Sequence, residues 1–116
     1  MIDKPAIPVA LAFLQRYSEN TSVRTEIEEA LANRHYIGLA KYGVPLTPNN
    51  GRNSYKDIYE ELLDAYIYST NILLERGHDP STADYTSFDE DDVKLFKLLI
   101  TTLDSILFLK ENFPCN

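Results

Sequence analysis

The chain holds one cysteine, Cys115, next to last among its 116 residues. A single thiol can build neither an intrachain disulfide nor a cysteine-based zinc site, so a reducing, cytoplasmic setting is expected. Positive charge is also scarce: 11 Lys and Arg stand against 18 Asp and Glu, a formal net charge of -7. A protein that tracks a nucleic-acid backbone carries the opposite balance, so no extended DNA or RNA partner is expected. Long hydrophobic runs are missing too. Asp104 interrupts the only stretch that approaches a membrane span. Residues 7–14 are apolar, and Ala10 and Ala12 mimic a cleavage motif. Asp3, Pro5 and Pro8 nevertheless spoil the charge and continuity that a signal peptide needs. Internal repeats and low-complexity tracts are absent.

What remains is an ordinary globular composition, 44% hydrophobic and 25% charged, which a single domain over residues 1–116 accommodates. Apolar spacing predicts four helices. The first covers 8–17. The second opens after the capping cluster Asn20, Thr21 and Ser22 and closes at Gly43, where a left-handed cap is expected and Pro45 blocks a restart. The third begins at Asn53 or Ser54, with Ser54 and Asp57 at capping-box spacing, and stops at Gly77. A polar linker over 78–88 leads to the last helix. There Ser87 and Glu90 form a second capping-box pair, and Asp89, Asp91 and Asp92 complement the helix dipole. Calcium does not fit these acids, because the oxygen-ligand loop with its central glycine is missing.

The last helix carries two apolar stripes: Val93, Phe96, Leu99, Ile100, Leu103 and Leu107, and then Leu95, Leu98, Ile106, Leu109 and Phe113. Two stripes imply two packing partners, one of them in another copy. An all-α, four-helix bundle that forms a homodimer or larger oligomer is therefore expected.

Chemistry concentrates on the third helix. Glu61 and Asp64 stand three apart and share one face, with Asp57 one turn before and Tyr68 one turn after. Carboxylates so placed are the hard oxygen ligands that Mg2+ prefers, with water and phosphate oxygens completing its octahedron. They also fit a solvated helix face. On the second helix, Glu28 and His35 share one face, and Glu26 and Glu29 another, followed by Arg34. A histidine there also fits a structural hydrogen bond.

The string "RHYIGLAKYGVPLTPNNGRNSYKDIYEELLDAYIY" resembles a block of the phage-encoded, MazG-like, all-α nucleotide pyrophosphohydrolases. The matching elements are "RHYIG", "KYG.PL", "NGR" and "EELLDA..Y", about a third of the chain. The resemblance implies Mg2+-dependent hydrolysis of a nucleoside triphosphate to monophosphate and pyrophosphate, by a dimer or tetramer, in the cytoplasm of an infected bacterium. It assigns the family's E-x-x-D element to Glu61 and Asp64, and two glutamates of its E-E-x-x-E element to Glu28 and Glu29. Ala32 occupies the place of the third. In this reading Glu61, Asp64, Glu28 and Glu29 are catalytic, and Glu61, Asp64 and Glu28 hold the metal. Arg34, His35, Lys41, Asn50, Arg52 and Tyr68 contact the nucleotide.

Residues 41–52, "KYGVPLTPNNGR", fit that picture. Lys41 and Arg52 bracket the loop, and the Arg52 guanidinium is a planar fork suited to phosphate oxygens. Asn49, Asn50 and Gly51 turn the backbone. Two other readings stay open. The loop also fits a rigid connector whose Arg52 pairs with a carboxylate. The incomplete glutamate motif also fits an anti-defence protein that binds without hydrolysis, sequestering a nucleotide-derived host signal of the cyclic dinucleotide or cyclic ADP-ribose type. A helical protein that serves only structure or a protein partner is a third possibility.

Overall fold

The computed structural model describes residues 3–82 and 84–114, and among these there are four α-helices and no strand. They are α1 (Ala6–Tyr17), α2 (Thr21–Tyr42), α3 (Ser54–Glu75) and α4 (Glu90–Asn112), with a 3-10 turn at Pro80–Thr82 between the last two. Cys115 lies outside the described residues. No described helix is long and apolar enough to cross a membrane. The chain divides into two compact units, one ending at Arg52 and the other beginning at Asn53.

The first unit packs α1 on α2. α1 starts at Ala6, earlier than the 8–17 that apolar spacing predicts. Pro8 falls in the first turn, where no backbone N–H has a helical partner, so the ring breaks nothing. The Ala6 N–H instead donates to the Leu46 carbonyl at 2.9 Å. At the three-residue corner between the helices, the Asn20 side chain accepts from the Val23 N–H at 3.2 Å. Arg24 donates to the Ser18 carbonyl at 3.1 Å and pairs with Glu28 at 3.2 Å. Asn20→Ala removes the cap of α2 and is expected to lower stability by about 1 kcal/mol in urea unfolding. α2 ends as predicted, on Gly43 with φ 76°, its N–H bonded to the Leu39 carbonyl.

The second unit is a hairpin of α3 and α4. Its seam buries Leu73, Leu99, Ile106 and Leu109 together with Ser69, Thr102 and Asp92. Ser69 and Thr102 tolerate burial because each hydroxyl donates to the carbonyl four residues back, at 2.8 and 2.9 Å. At one end of the hairpin the Tyr55 and Phe113 rings meet at 5.1 Å, and the Lys110 ammonium lies 4.7 Å from the Tyr59 ring centroid. At the other end the Phe88 ring meets His78 at a tilt and Tyr85 and Phe96 edge-on.

Two capping expectations are corrected. α3 is capped by Asn53, which accepts from the Lys56 N–H, and not by Ser54. α4 is capped by Asp89 in a full capping box with Asp92, and not by Ser87 with Glu90. Aspartate and asparagine reach the N3 amide as well as serine does, and here they stand at the residue where the chain enters the helix. Ahead of α4, Asp79 accepts from the Ser81 N–H and hydroxyl, and Asp84 does the same from Thr86. These bonds hold both carboxyls below their ordinary pKa.

Candidate functional site

The candidate residues divide between the two units. On α3, Glu61, Asp64 and Tyr68 are exposed and Asp57 is half-buried. All four lie at helical spacing on the side of α3 turned away from the α4 seam, which uses Tyr59, Leu62, Tyr66, Ser69 and Leu73. Glu61 and Asp64 are therefore not needed to hold the hairpin. Tyr68 borders a shallow depression of about 380 Å³ with Tyr66, Ile67, Asn71 and Leu74.

On α2, Glu28 is half-buried by its pairing with Arg24, whereas Glu29 and Arg34 are exposed. His35 is half-buried, its ring edge-on to Tyr36 at 6.1 Å. The Lys41 ammonium lies 5.2 Å from the Tyr42 ring centroid, in the last turn of α2, where a cation also complements the helix dipole. Beyond Gly43 the loop is built on unusual backbone: Asn49 has φ 59° and Gly51 φ 82°. The Asn50 side chain accepts from the Arg52 N–H at 2.9 Å, an Asx turn that sets where Arg52 leaves the loop.

Among the described residues no three His, Cys, Asp or Glu side chains gather into a ready cation cage. Magnesium rarely uses one. It binds through one or two carboxylates and takes its other oxygens from water and phosphate, and the donor set of Glu61 and Asp64 fits that habit.

No family model, no curated protein and no solved structure matches this chain. The residues themselves must carry any functional argument.

One constellation escapes the sequence reading. Asp92 is only 2% exposed; its carboxylate accepts from the Arg76 Nε–H and from the Asp89 N–H at 3.0 Å, and lies 2.8 Å from His78 Nε2. Arg76 also reaches Asp89 at 3.2 Å. The C-terminal cap of α3 prepares this. Gly77, at φ 84°, sends its N–H to the Leu74 carbonyl, and the His78 N–H bonds to Leu73, which turns the His78 ring towards α4. The Arg76 hydrogen bond, then the Asp89 amide, hold the Asp92 carboxyl at about 2, well below its ordinary value. Asp92 stands in the first turn of α4, where the sequence expects it to complement the helix dipole. It is also the buried polar centre of the hairpin. The available signal was an arginine and a histidine flanking the helix-ending glycine, with an acidic N-terminus to follow.

Proposed function

We propose that the chain is a phage-type, MazG-like nucleotide-binding protein, acting as an Mg2+-dependent pyrophosphohydrolase on a nucleoside or deoxynucleoside triphosphate. The observation that supports it best is the carboxylate face of α3. Glu61 and Asp64 sit one turn apart, exposed, and outside the packing that stabilises the hairpin. Magnesium held there would supply charge neutralisation to the polyphosphate and polarise its oxygens. Glu61 and Asp64 would hold it, and Glu28 and Glu29, which belong to the other compact unit, are the further carboxylates that the resemblance assigns. Lys41 and Arg52 balance charge that builds on the phosphoryl oxygens. Asn50, Arg34, His35 and Tyr68 are the remaining nucleotide contacts of this reading. The working form is a homodimer or tetramer in the cytoplasm.

A second reading has its own support. Glu28 is engaged by Arg24, and Ala32 stands where the family's third glutamate would be. A chain so altered fits a binder that sequesters a nucleotide-derived signal and leaves it intact. A nucleotide panel with and without Mg2+, read for both binding and product, separates the two. Release of pyrophosphate supports the enzyme. Recovery of unaltered ligand after heating supports the binder. No binding by any nucleotide or cyclic dinucleotide would sink both.

Arg52 gives a sharper check. Its charge-assisted hydrogen bonds to phosphate are each worth on the order of 1.5–3 kcal/mol, so Arg52→Ala should weaken nucleotide binding by roughly tenfold or more. Arg52→Lys should recover little, since a point charge does not reproduce the fork. Affinity should fall more than melting temperature. The connector reading requires the reverse order, with stability lost and affinity intact.

A further inference from the structure

The loop after α2 contains Asn50 followed by Gly51, and no other asparagine in the chain precedes a glycine. The nitrogen of the residue after an asparagine can attack its side-chain amide carbon and close a five-membered ring. For that the nitrogen must be unhindered, open to solvent base and held close to the carbon. Glycine removes the hindrance, having no side chain. Both residues are exposed, and no atom beyond the chain neighbours lies within 4 Å of where a Gly51 Cβ would stand. Among the described residues, none accepts a hydrogen bond from the Gly51 N–H. The Asx turn supplies the closeness: Asn50 Oδ1 accepts from the Arg52 N–H at 2.9 Å, which folds the side chain over the Gly51 peptide.

We propose that Asn50 is a modification site, at which the chain converts its own asparagine to aspartate and isoaspartate without a second enzyme. Solvent hydroxide takes the Gly51 N–H proton, and the nitrogen bonds to Asn50 Cγ. The carbonyl electron pair moves to Oδ1, where the Arg52 N–H stabilises the oxyanion. Collapse breaks the bond from Cγ to Nδ2, which takes a proton from water and leaves as ammonia. The product is a succinimide. Water then opens it. Attack at Cγ restores the main chain and leaves aspartate, whereas attack at the Asn50 main-chain carbonyl carbon leaves isoaspartate, with the chain running through Cβ and Cγ. One water is taken up and one ammonia released. Either product adds a negative charge to a chain already at -7. Asn20, Asn53 and Asn71 differ, because each is followed by a residue inside a helix, whose fixed backbone keeps the next nitrogen from Cγ. One consequence rests on the nucleotide reading above: a carboxylate two residues from Arg52 repels phosphate, so affinity falls as the protein ages.

The full-length protein, kept at body temperature at mildly acid and at mildly alkaline pH, tests this by intact mass, peptide mapping and isoaspartyl methylation. An acidic species should accumulate, map to Asn50 before any other asparagine, and form faster at the higher pH. Its rate should be within about threefold of that of the free peptide "TPNNGRN", or faster, since the folded loop leaves the attack open. Asn50→Gln, which would need a six-membered ring, should slow conversion of the loop by about tenfold or more. No conversion in the time that the peptide needs overturns the proposal, as does first conversion at another asparagine. Asn50→Asp, which carries the product's charge, should bind nucleotide about tenfold more weakly than fresh wild type. Equal affinities would remove the ageing effect. Fresh protein that binds no nucleotide would sink the nucleotide reading, and the mass measurement would still decide the modification.

Discussion

Asp92→Ala should lower the melting temperature by about 10 °C or more, the largest stability loss expected from any single polar side chain in the protein. The reason is what the mutation leaves behind. Asp92 is buried, takes hydrogen bonds from Arg76 and the Asp89 amide, and lies against His78 Nε2 at 2.8 Å. Removing it leaves the Asp89 amide without its acceptor and takes one of two carboxylate partners from Arg76. It also takes from the half-buried His78 the only facing carboxylate among the described residues, and breaks the α4 capping box in the same stroke. A buried acceptor lost from a network costs more than the net value of its bonds, because each orphaned donor keeps its desolvation penalty. Asp92→Asn keeps the shape but turns a donor towards donors, so it should recover only part of the loss. The pH dependence follows from the direction of the shift. The folded carboxyl titrates at about 2, below the ordinary 3.8, so the folded state binds its proton less readily than the unfolded state does. Its contribution is complete above pH 3.8 and disappears as pH falls towards 2. Urea unfolding of wild type should weaken across that acid window, and Asp92→Asn should remove this part of the slope. A wild-type acid limb unchanged in the variant would mean that other carboxylates govern acid unfolding.

The helices were legible because their punctuation is local. Gly43 and Gly77 end α2 and α3 where a left-handed residue is needed, and Asn20 starts α2. Periodicity then did the rest for α3 and α4. What escaped is what depends on contacts between elements. The Arg76–Asp92–His78 network joins residues 16 apart in sequence across the linker, and nothing in helix spacing announces which of three neighbouring aspartates turns inwards. The apolar stripes of α4 illustrate the same limit. Leu99 comes from one predicted stripe and Ile106 and Leu109 from the other, yet all three are buried against α3. Spacing gives two candidate stripes, and only the position of α3 decides which residues of each form the seam. The candidate site was legible in a narrower sense. The shared face of Glu61 and Asp64 follows from their separation alone, as does the pairing of Arg24 with Glu28 one turn on, whereas the Arg24 bond to the Ser18 carbonyl needed the fold of the α1–α2 corner.

Glu61→Gln should abolish the Mg2+-dependent release of pyrophosphate that the enzyme reading requires, lowering kcat by about 100-fold or more. A bound divalent ion contributes several kcal/mol to the stabilisation of developing charge, and each 1.36 kcal/mol is a factor of ten in rate. The amide matches the carboxylate in shape but not in charge, so it cannot serve as a hard anionic ligand. Asp64→Asn should behave alike, and the double variant should be little worse than either single one, because residues that act as a unit are not additive. The melting temperature should hardly move in any of them, since both side chains are exposed on the face of α3 away from α4. That contrast with Asp92→Ala separates a residue that serves chemistry from one that serves the fold. Raising Mg2+ should partly rescue the single variants if metal affinity is what was lost. The binder reading expects something different: no turnover in the wild type, and ligand affinity that does not follow Mg2+ concentration. Wild-type turnover that survives Glu61→Gln and Asp64→Asn at undiminished rate would move the chemistry off this face of α3 altogether.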